Sequence, residues 1–310
     1  MKHLFLINPA AGKRDSTFDC AGLIHARCDA RGLDYEIRVS KKPGDLTRYA
    51  REAAAEGGEL RLYACGGDGT LNEVVNGAAG CANAAVTHWP TGSGNDFVKL
   101  FSDPARFRDL DALLDGEETR LDLIRCGTRR AVNICSMGFD ARVGTEIAKY
   151  KRLPLLSGSG AYIASAGINL IRGIHQPCTV EAAGERLPGE KSLVCVCSGR
   201  WYGGGFNPVP EAEPDDGLLD VLVVKGVSRF GVARLIGLYK AGRYRELPDL
   251  IRHFRVPEVR VICERDSVIN LDGEAAYGRD VTFRAEPRAL RFFYPRGLTY
   301  HAAAPAAAGV

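Results

Sequence analysis

Through its first 126 residues the chain alternates short apolar or β-branched runs with helix-patterned stretches, and this alternation restricts the fold more than any other feature. Strand candidates at 4–7, 35–39, 60–65, 85–89 and 121–126 are separated by helical candidates at 18–28, 46–56 and 71–79. This order predicts β-α-β units on a parallel sheet. Ser16, Asp45 and Thr70 stand ahead of the helices as start signals, and Gly57-Gly58 supplies a helix stop. Gly66-Gly67 forms a tight strand-to-helix turn.

Beyond residue 126 the pattern changes. Runs at 193–197, 218–224, 259–263, 268–271, 281–285 and 289–294 are separated mostly by turns and predict a mainly antiparallel half. Helical stretches at 161–174 and 229–241 interrupt it. A chain of 310 residues exceeds one ordinary core. The expected fold is therefore α/β, with a parallel-sheet nucleotide-binding domain over 1–125 and a β-rich, sandwich-like domain over 126–295. The active site is expected in the cleft between them, where ligands commonly bind. Residues 296–310 are free to pack back on the first domain, and the tail HAAAPAAAGV reads as frayed.

The ten cysteines form no CxxC pair and have no histidines at zinc-ligand spacing, so they read as buried thiols in a reducing cytoplasm. No signal peptide or spanning run of roughly 18 apolar residues is present, and the chain reads as soluble. A formal charge of +3 gives no reason to expect nucleic acid as a partner.

The strongest motif is Gly66-Gly67-Asp68-Gly69-Thr70-Leu71-Asn72-Glu73, between a predicted strand and a predicted helix. Such a turn offers free N–H groups and a helix dipole to an anion. Asp68 would repel that anion unless a divalent cation bridges the two, which argues for a metal–nucleotide complex. Asn8-Pro9-Ala10-Ala11-Gly12-Lys13 follows the first strand and Pro90-Thr91-Gly92-Ser93-Gly94-Asn95-Asp96-Phe97 the fourth. Each alone is an ordinary turn, but in a parallel sheet all three can meet outside the strands' carboxyl ends. Neither GxxxxGK[ST] nor a GxGxxG after the first strand occurs, which disfavours Walker-type and Rossmann designs.

Together, GGDGTLNEVVNG, PTGSGNDF, NPAAG, DDGLLDV and Leu271-Asp272-Gly273-Glu274 resemble the diacylglycerol kinase catalytic family, in particular its soluble bacterial lipid kinases, related to sphingosine and ceramide kinases. The resemblance implies ATP- and Mg²⁺-dependent transfer of the γ-phosphoryl group to a lipid hydroxyl. It places ATP against Asn8, Pro9, Ala10, Ala11, Gly12, Ser40, Gly66, Gly67, Asp68, Gly69, Thr70, Leu71, Asn72 and Ser93. Ser40 and Ser93 depart from the family's usual Thr but keep its hydroxyl. A structural Mg²⁺ is implied on the Asp216 side chain with the backbone carbonyls of Glu213 and Leu218; otherwise Asp215, Asp216 and Asp220 read as solvated acids on a hairpin turn. Glu274 is the expected catalytic base and Asp272 its competitor, since Gly273 leaves both side-chain directions open, and Asp68 joins them in positioning and charge neutralisation. Lys13 and Arg14 are further candidates to face the triphosphate.

A kinase that lifts its acceptor from a bilayer acts as a peripheral protein at the inner membrane surface. Residues 225–260 carry nine basic against three acidic side chains, an excess of +6, and offer either a docking face or a solvated helix with Leu235 and Tyr239 packed inward. The basic-then-apolar stretch 149–156 is a second docking candidate. Diacylglycerol, giving phosphatidic acid, is the expected acceptor; sphingoid bases, polyisoprenoids and phosphatidylglycerol are the alternatives. A silent nucleotide or lipid binder on the same fold, and an NAD kinase sharing the GGDG turn, are the competing readings; the retained acids and PTGSGNDF argue against them. The sequence leaves open whether a homodimer forms.

Overall fold

The computed structural model describes residues 1–12, 15–138, 141 and 175–302. Lys13, Arg14, the stretch 149–156, the helix expected at 161–174 and residues 303–310 lie outside the described residues. The first half contains β1 (Lys2–Ile7), α1 (Thr17–Ala30), β2 (Tyr35–Val39), α2 (Asp45–Ala55), β3 (Leu60–Gly66), α3 (Asp68–Ala78), β4 (Ala84–Pro90), α4 (Leu110–Leu114) and β5 (Glu117–Cys126). Then follow β6 (Arg129–Ala131), β7 (Ile134–Gly138), β8 (Gln176–Ala182), β9 (Glu185–Leu187), β10 (Glu190–Cys197), β11 (Leu219–Lys225), α5 (Arg229–Lys240), β12 (Ile251–Val256), β13 (Glu258–Leu271) and β14 (Glu274–Tyr294).

Strands β4, β3, β1 and β2 lie side by side in that order, all parallel, with α1, α2 and α3 as crossovers. β4 is buried along its whole length, the pattern of a strand covered on both faces. α3 starts three residues earlier than its sequence signal suggests. Gly67 is its N-cap, so Thr70 lies inside the first turn and is buried there. Gly44 likewise caps α2, because the Asp45 carboxylate turns back to accept from the N–H groups of Lys41 and Lys42.

The segment at 121–126 is not a fifth parallel strand. It belongs to β5, which runs antiparallel to β14, because the slot beside β4 is filled by the carboxyl end of β14 through Arg291 and Phe292. The runs at 259–263 and 268–271 are one strand, β13, irregular between Ile262 and Ser267. Those at 281–285 and 289–294 are likewise joined in β14, shifted in register between Glu286 and Leu290. The second half is antiparallel throughout its described pairings β7–β10, β10–β11, β11–β12, β13–β14 and β8–β13.

Apolar side chains collect around two main centres. One, under the parallel sheet, holds Phe5, Tyr63, Phe97, Phe101, Phe107, Phe292 and Phe293, and takes in Leu298 and Tyr300 from beyond β14. The other holds Val194, Val196, Val221, Val259, Val261 and Phe283. Strands β5 and β14 contribute to both, with Leu123 in the first and its neighbour Ile124 in the second. All ten cysteines are free thiols, and eight are buried. Among the described residues no helix is long and apolar enough to cross a membrane.

Helices α2 and α3 touch where Gly77 has no side chain: a Cβ there would stand 2.5 Å from the Thr47 carbonyl oxygen and 2.6 Å from Ala50 Cβ. Overpacking costs about 1–3 kcal/mol, against a helix-propensity gain of about 1 kcal/mol for alanine. Gly77→Ala should therefore lower the urea midpoint of unfolding. An unchanged or raised midpoint would show that the helices do not approach this closely.

Candidate active site

Three loops at the carboxyl ends of β1, β3 and β4 are in contact, and glycines permit it. Asn8 Nδ2 donates to Thr70 Oγ1 at 3.0 Å, joining the first loop to the start of α3, while Asn8 Oδ1 accepts from Ala10 N–H. Gly12, at φ +84°, sits where a Cβ would fall 2.5 Å from the Thr91 carbonyl oxygen. A Cβ on Gly92 would fall 2.5 Å from Gly67 Cα, so the second and third loops meet backbone to backbone. Ser40 N–H donates to the Ile7 carbonyl, which fixes the end of β2 beside the first loop. Pro9 and Ala11 are half-buried, and Ala10, Gly12 and Ser93 are exposed.

The residues of the GGDGTLN turn divide by role. Leu71 and Thr70 point into the fold, and Leu71 N–H is spent on the Gly67 carbonyl. Asn72 is buried and donates to the Arg130 carbonyl and to Asp272 Oδ2, both at 3.1 Å, so its side chain joins the two halves of the chain. Gly67 gives α3 no side-chain cap, which leaves the first-turn N–H groups of Asp68 and Gly69 facing the loops. Asp68 Oδ1 accepts from Phe97 N–H at 3.2 Å. Burial holds this carboxyl above the usual carboxylate range and lowers the nearby His88 imidazole. His88 is fully buried and donates through Nε2 to the Gly66 carbonyl at 3.0 Å, since that oxygen can only accept.

Thr91 Oγ1 and Asn95 Oδ1, in the third loop, are buried without a hydrogen-bond partner. An unsatisfied buried oxygen costs about 1–3 kcal/mol, so the third loop carries two such costs close to the other two loops. Asp96 reaches the second half, accepting from Gly204 N–H at 2.7 Å. Of the motif PTGSGNDF only Ser93 was given a role from sequence; the half-buried Thr91, the buried Asn95 and Asp96 and the underlying His88 received none.

Asp272 and Glu274 are only two residues apart, yet their surroundings differ completely. Asp272 adopts φ +51° and its carboxylate accepts four N–H groups: Val132 N at 2.7 Å, Ile134 N at 2.9 Å, Asn133 N at 3.1 Å and Asn72 Nδ2 at 3.1 Å. Burial pushes its carboxyl up to about 6, while the four donors pull the other way. Glu274 is exposed and has no partner among the described residues. Its Oε1 lies 3.6 Å from where a Cβ on Gly69 would stand, so it faces the first turn of α3, beside Asp68.

The turn carrying Asp215 and Asp216 is not a row of solvated acids. Asp220 is buried and bonded to His253 Nε2 at 2.7 Å, and Asp215 accepts from Tyr300 Oη at 3.0 Å. Asp216 Oδ1 accepts from Leu218 N–H at 2.9 Å and Oδ2 from Arg255 Nη2. The Glu213 side chain faces Ala302 N–H, Arg200 and His301. A cation held by the Asp216 carboxylate does not fit this arrangement, because a guanidinium already neutralises it.

The basic excess read over 225–260 also needs correction. Arg243 pairs with Glu246, Arg245 with Glu211, Arg252 with Glu185, Arg255 with Asp216 and Asp220, and Arg260 with Asp280 and Glu181. Acids outside the stretch thus pair with four of its nine basic residues, Arg245, Arg252, Arg255 and Arg260, while Leu235 and Tyr239 of α5 are buried.

Comparison with known proteins identifies the family. Residues 2–126 match the diacylglycerol kinase catalytic domain, and residues 107–294 match the YegS C-terminal NAD kinase beta sandwich-like domain. A "Probable lipid kinase YegS-like" of Stenotrophomonas maltophilia (strain K279a) is 30% identical over 305 residues, covering 94% of this chain and 96% of that protein. A protein of the same description from Pseudomonas aeruginosa PAO1 is 32% identical over 294 residues, covering 92% and 93%. The crystal structure of a "putative diacylglycerol kinase" from Bacillus anthracis str. Sterne shares the fold, with a TM-score of 0.74 at 21% identity over 96% of this chain and 98% of that one. With both domains matched in order and relatives aligned over nearly their full lengths, the chain belongs to the YegS-like family of lipid kinases, which carry a diacylglycerol kinase catalytic domain.

Proposed function

We propose that this protein uses ATP and Mg²⁺ to phosphorylate the primary hydroxyl of diacylglycerol, giving phosphatidic acid, as a peripheral enzyme at the cytoplasmic face of a membrane. The observation that carries the reading is Glu274: an exposed carboxylate without a partner among the described residues, held against the first turn of α3 beside Asp68. The acceptor class rests on the descriptions of the relatives.

The chain's own groups then have distinct tasks. The free N–H groups at the start of α3 and the glycine-lined loops receive the triphosphate, and the Thr91 hydroxyl, unpartnered within the chain, can donate to it. Asp68 would supply the hard oxygen that suits Mg²⁺, and the bound ion would neutralise charge on the transferring phosphoryl group. Glu274 accepts the proton of the lipid hydroxyl as that oxygen bonds to the γ-phosphorus and the bond to the β–γ bridging oxygen breaks, releasing ADP. Asp272 does not act as the base, because its four N–H contacts already fill it; it fixes the turn that aims Glu274.

Glu274→Gln should lower kcat by roughly 10²–10⁴-fold with unchanged thermal stability, measured with Mg-ATP and diacylglycerol in mixed micelles and mass detection of phosphatidic acid. Turnover equal to wild type would remove Glu274 from the role of base. Asp272→Asn should instead lose at least about 2 kcal/mol of unfolding free energy, since an amide must set its own N–H against four donors. A stable Asp272→Asn protein that is merely inactive would return Asp272 to the chemistry. Asp68→Asn should cost roughly 10²–10³-fold in kcat and raise the Mg²⁺ concentration needed for half-maximal rate; an unchanged Mg²⁺ requirement would place the metal elsewhere.

A further inference from the structure

Acidic side chains crowd the turn that precedes β11. Asp122 is fully buried beneath it, accepting from Gly217 N–H and Arg288 N–H, both at 2.6 Å, and donating its own N–H to the Pro214 carbonyl at 2.7 Å. Asp215 and Asp216 lie on the turn, and the buried Asp220 lies just inside β11. Burial raises the Asp122 carboxyl, and the charges of Asp216 and Asp215 raise it further. So many negative groups call for a compensating positive charge, and the family resemblance implies a structural Mg²⁺ here, on the Asp216 side chain and the backbone carbonyls of Glu213 and Leu218.

The structure supplies the charge differently. Arg255 lies on β12 directly opposite Asp220 on β11, so strand register fixes its position. Its Nη2 donates to Asp216 Oδ2 and its Nε stands 3.6 Å from Asp220 Oδ1, so one guanidinium spans both acids. His253, two residues earlier, holds the same Asp220 oxygen at 2.7 Å. The other oxygen of Asp216 is closed on Leu218 N–H. Nearby, ligand atoms of Glu213, Asp215 and His301 come within 4.8 Å of one another. Each already has a partner within the fold: Ala302 N–H and Arg200 serve Glu213, His301 Nδ1 lies 3.0 Å from Glu213 Oε2, and Tyr300 Oη serves Asp215.

We infer that Arg255 takes the place of a structural divalent cation in this chain, neutralising Asp216 and Asp220 through the strand pair β11–β12, so that the folded protein holds no metal at this turn. Mg²⁺ demands near-octahedral oxygen coordination and gives up its waters reluctantly. It would have to displace a guanidinium that is pre-formed as a fork and held in register by the sheet. The inference concerns the fold outside the nucleotide loops and stands whether or not the lipid acceptor is diacylglycerol.

The test uses the full chain without nucleotide, carrying Asp68→Asn so that the nucleotide loops contribute no metal ligand. After dialysis against millimolar MgCl₂ and then buffer, elemental analysis should find no stoichiometric metal, and Tm should be the same in EDTA and in millimolar Mg²⁺ or Ca²⁺. Adding Arg255→Gln should lower Tm in EDTA by roughly 2–4 °C, and millimolar Mg²⁺ or Ca²⁺ should restore the loss. A further Asp216→Asn should abolish that rescue. One equivalent of bound metal in the Arg255-containing protein, or a saturable rise of its Tm with divalent cation, would overturn the inference. So would an Arg255→Gln protein whose Tm ignores divalent cations. If Arg255→Gln does not fold, the metal content of the Arg255-containing protein decides alone.

Discussion

Four N–H groups converging on one carboxylate hold the two halves of this protein in a working relation. Asp272 takes three of them from consecutive backbone positions, Val132, Asn133 and Ile134, and the fourth from Asn72 on α3. Removing a carboxylate from water is costly unless each lone pair finds a donor, and here the donors come from both halves of the chain. A left-handed backbone at Asp272, uncommon outside glycine but tolerated by aspartate, completes the turn. The side chain of Glu274 is thereby directed at α3 by an interaction in which it takes no part.

This arrangement explains what could be read from the chain before its structure. The parallel sheet was legible because each of its strands is announced locally, by an apolar run, a turn with glycine and a helical pattern. Local signals fail where the partner strand is remote. β5 has nothing in its own sequence to say that it will run against β14, whose 21 residues pass from one apolar centre to the other. β12 was hidden for a related reason: in Ile251-Arg252-His253-Phe254-Arg255-Val256 the outward residues are mostly charged, so a strand with one wet face looked like a basic segment. In the candidate site, the motif located the turn that carries Asp272 and Glu274 but not their directions. Those depend on Val132 to Ile134, which no spacing rule connects to residue 272.

Charge counted along the sequence was a poor guide for the same physical reason. Arg252 finds Glu185 and Arg260 finds Asp280 because strands β8 to β14 bring them together, not because they are neighbours in the chain. Exposed pairs of this kind contribute about 0–1 kcal/mol each. Their main effect is to offset part of the positive field that a count over 225–260 suggests. A surface that attracts anionic headgroups must be sought among cations that the fold leaves unpaired.

The division of labour within the nucleotide loops follows from the same economy. Thr70, Leu71 and Asn72 turn their side chains inward, to Asn8, the apolar core and Asp272 respectively, so the turn offers a ligand mainly its main chain. Main-chain donors keep a fixed geometry only while the surrounding loops stay in contact, and here that contact runs through positions such as Gly12 and Gly92, where a single added carbon would force the loops apart. On the proposed function, recognition of the phosphate is spread over the backbone, and no side-chain deletion within the inward-facing trio would remove it without also loosening the fold. The acids proposed to give the site its chemistry are separate from this cradle. Asp68 enters from the parallel sheet and Glu274 from the β13–β14 turn, so their relation to each other is set by the Asp272 junction, and the placement of that junction determines whether the site can work at all.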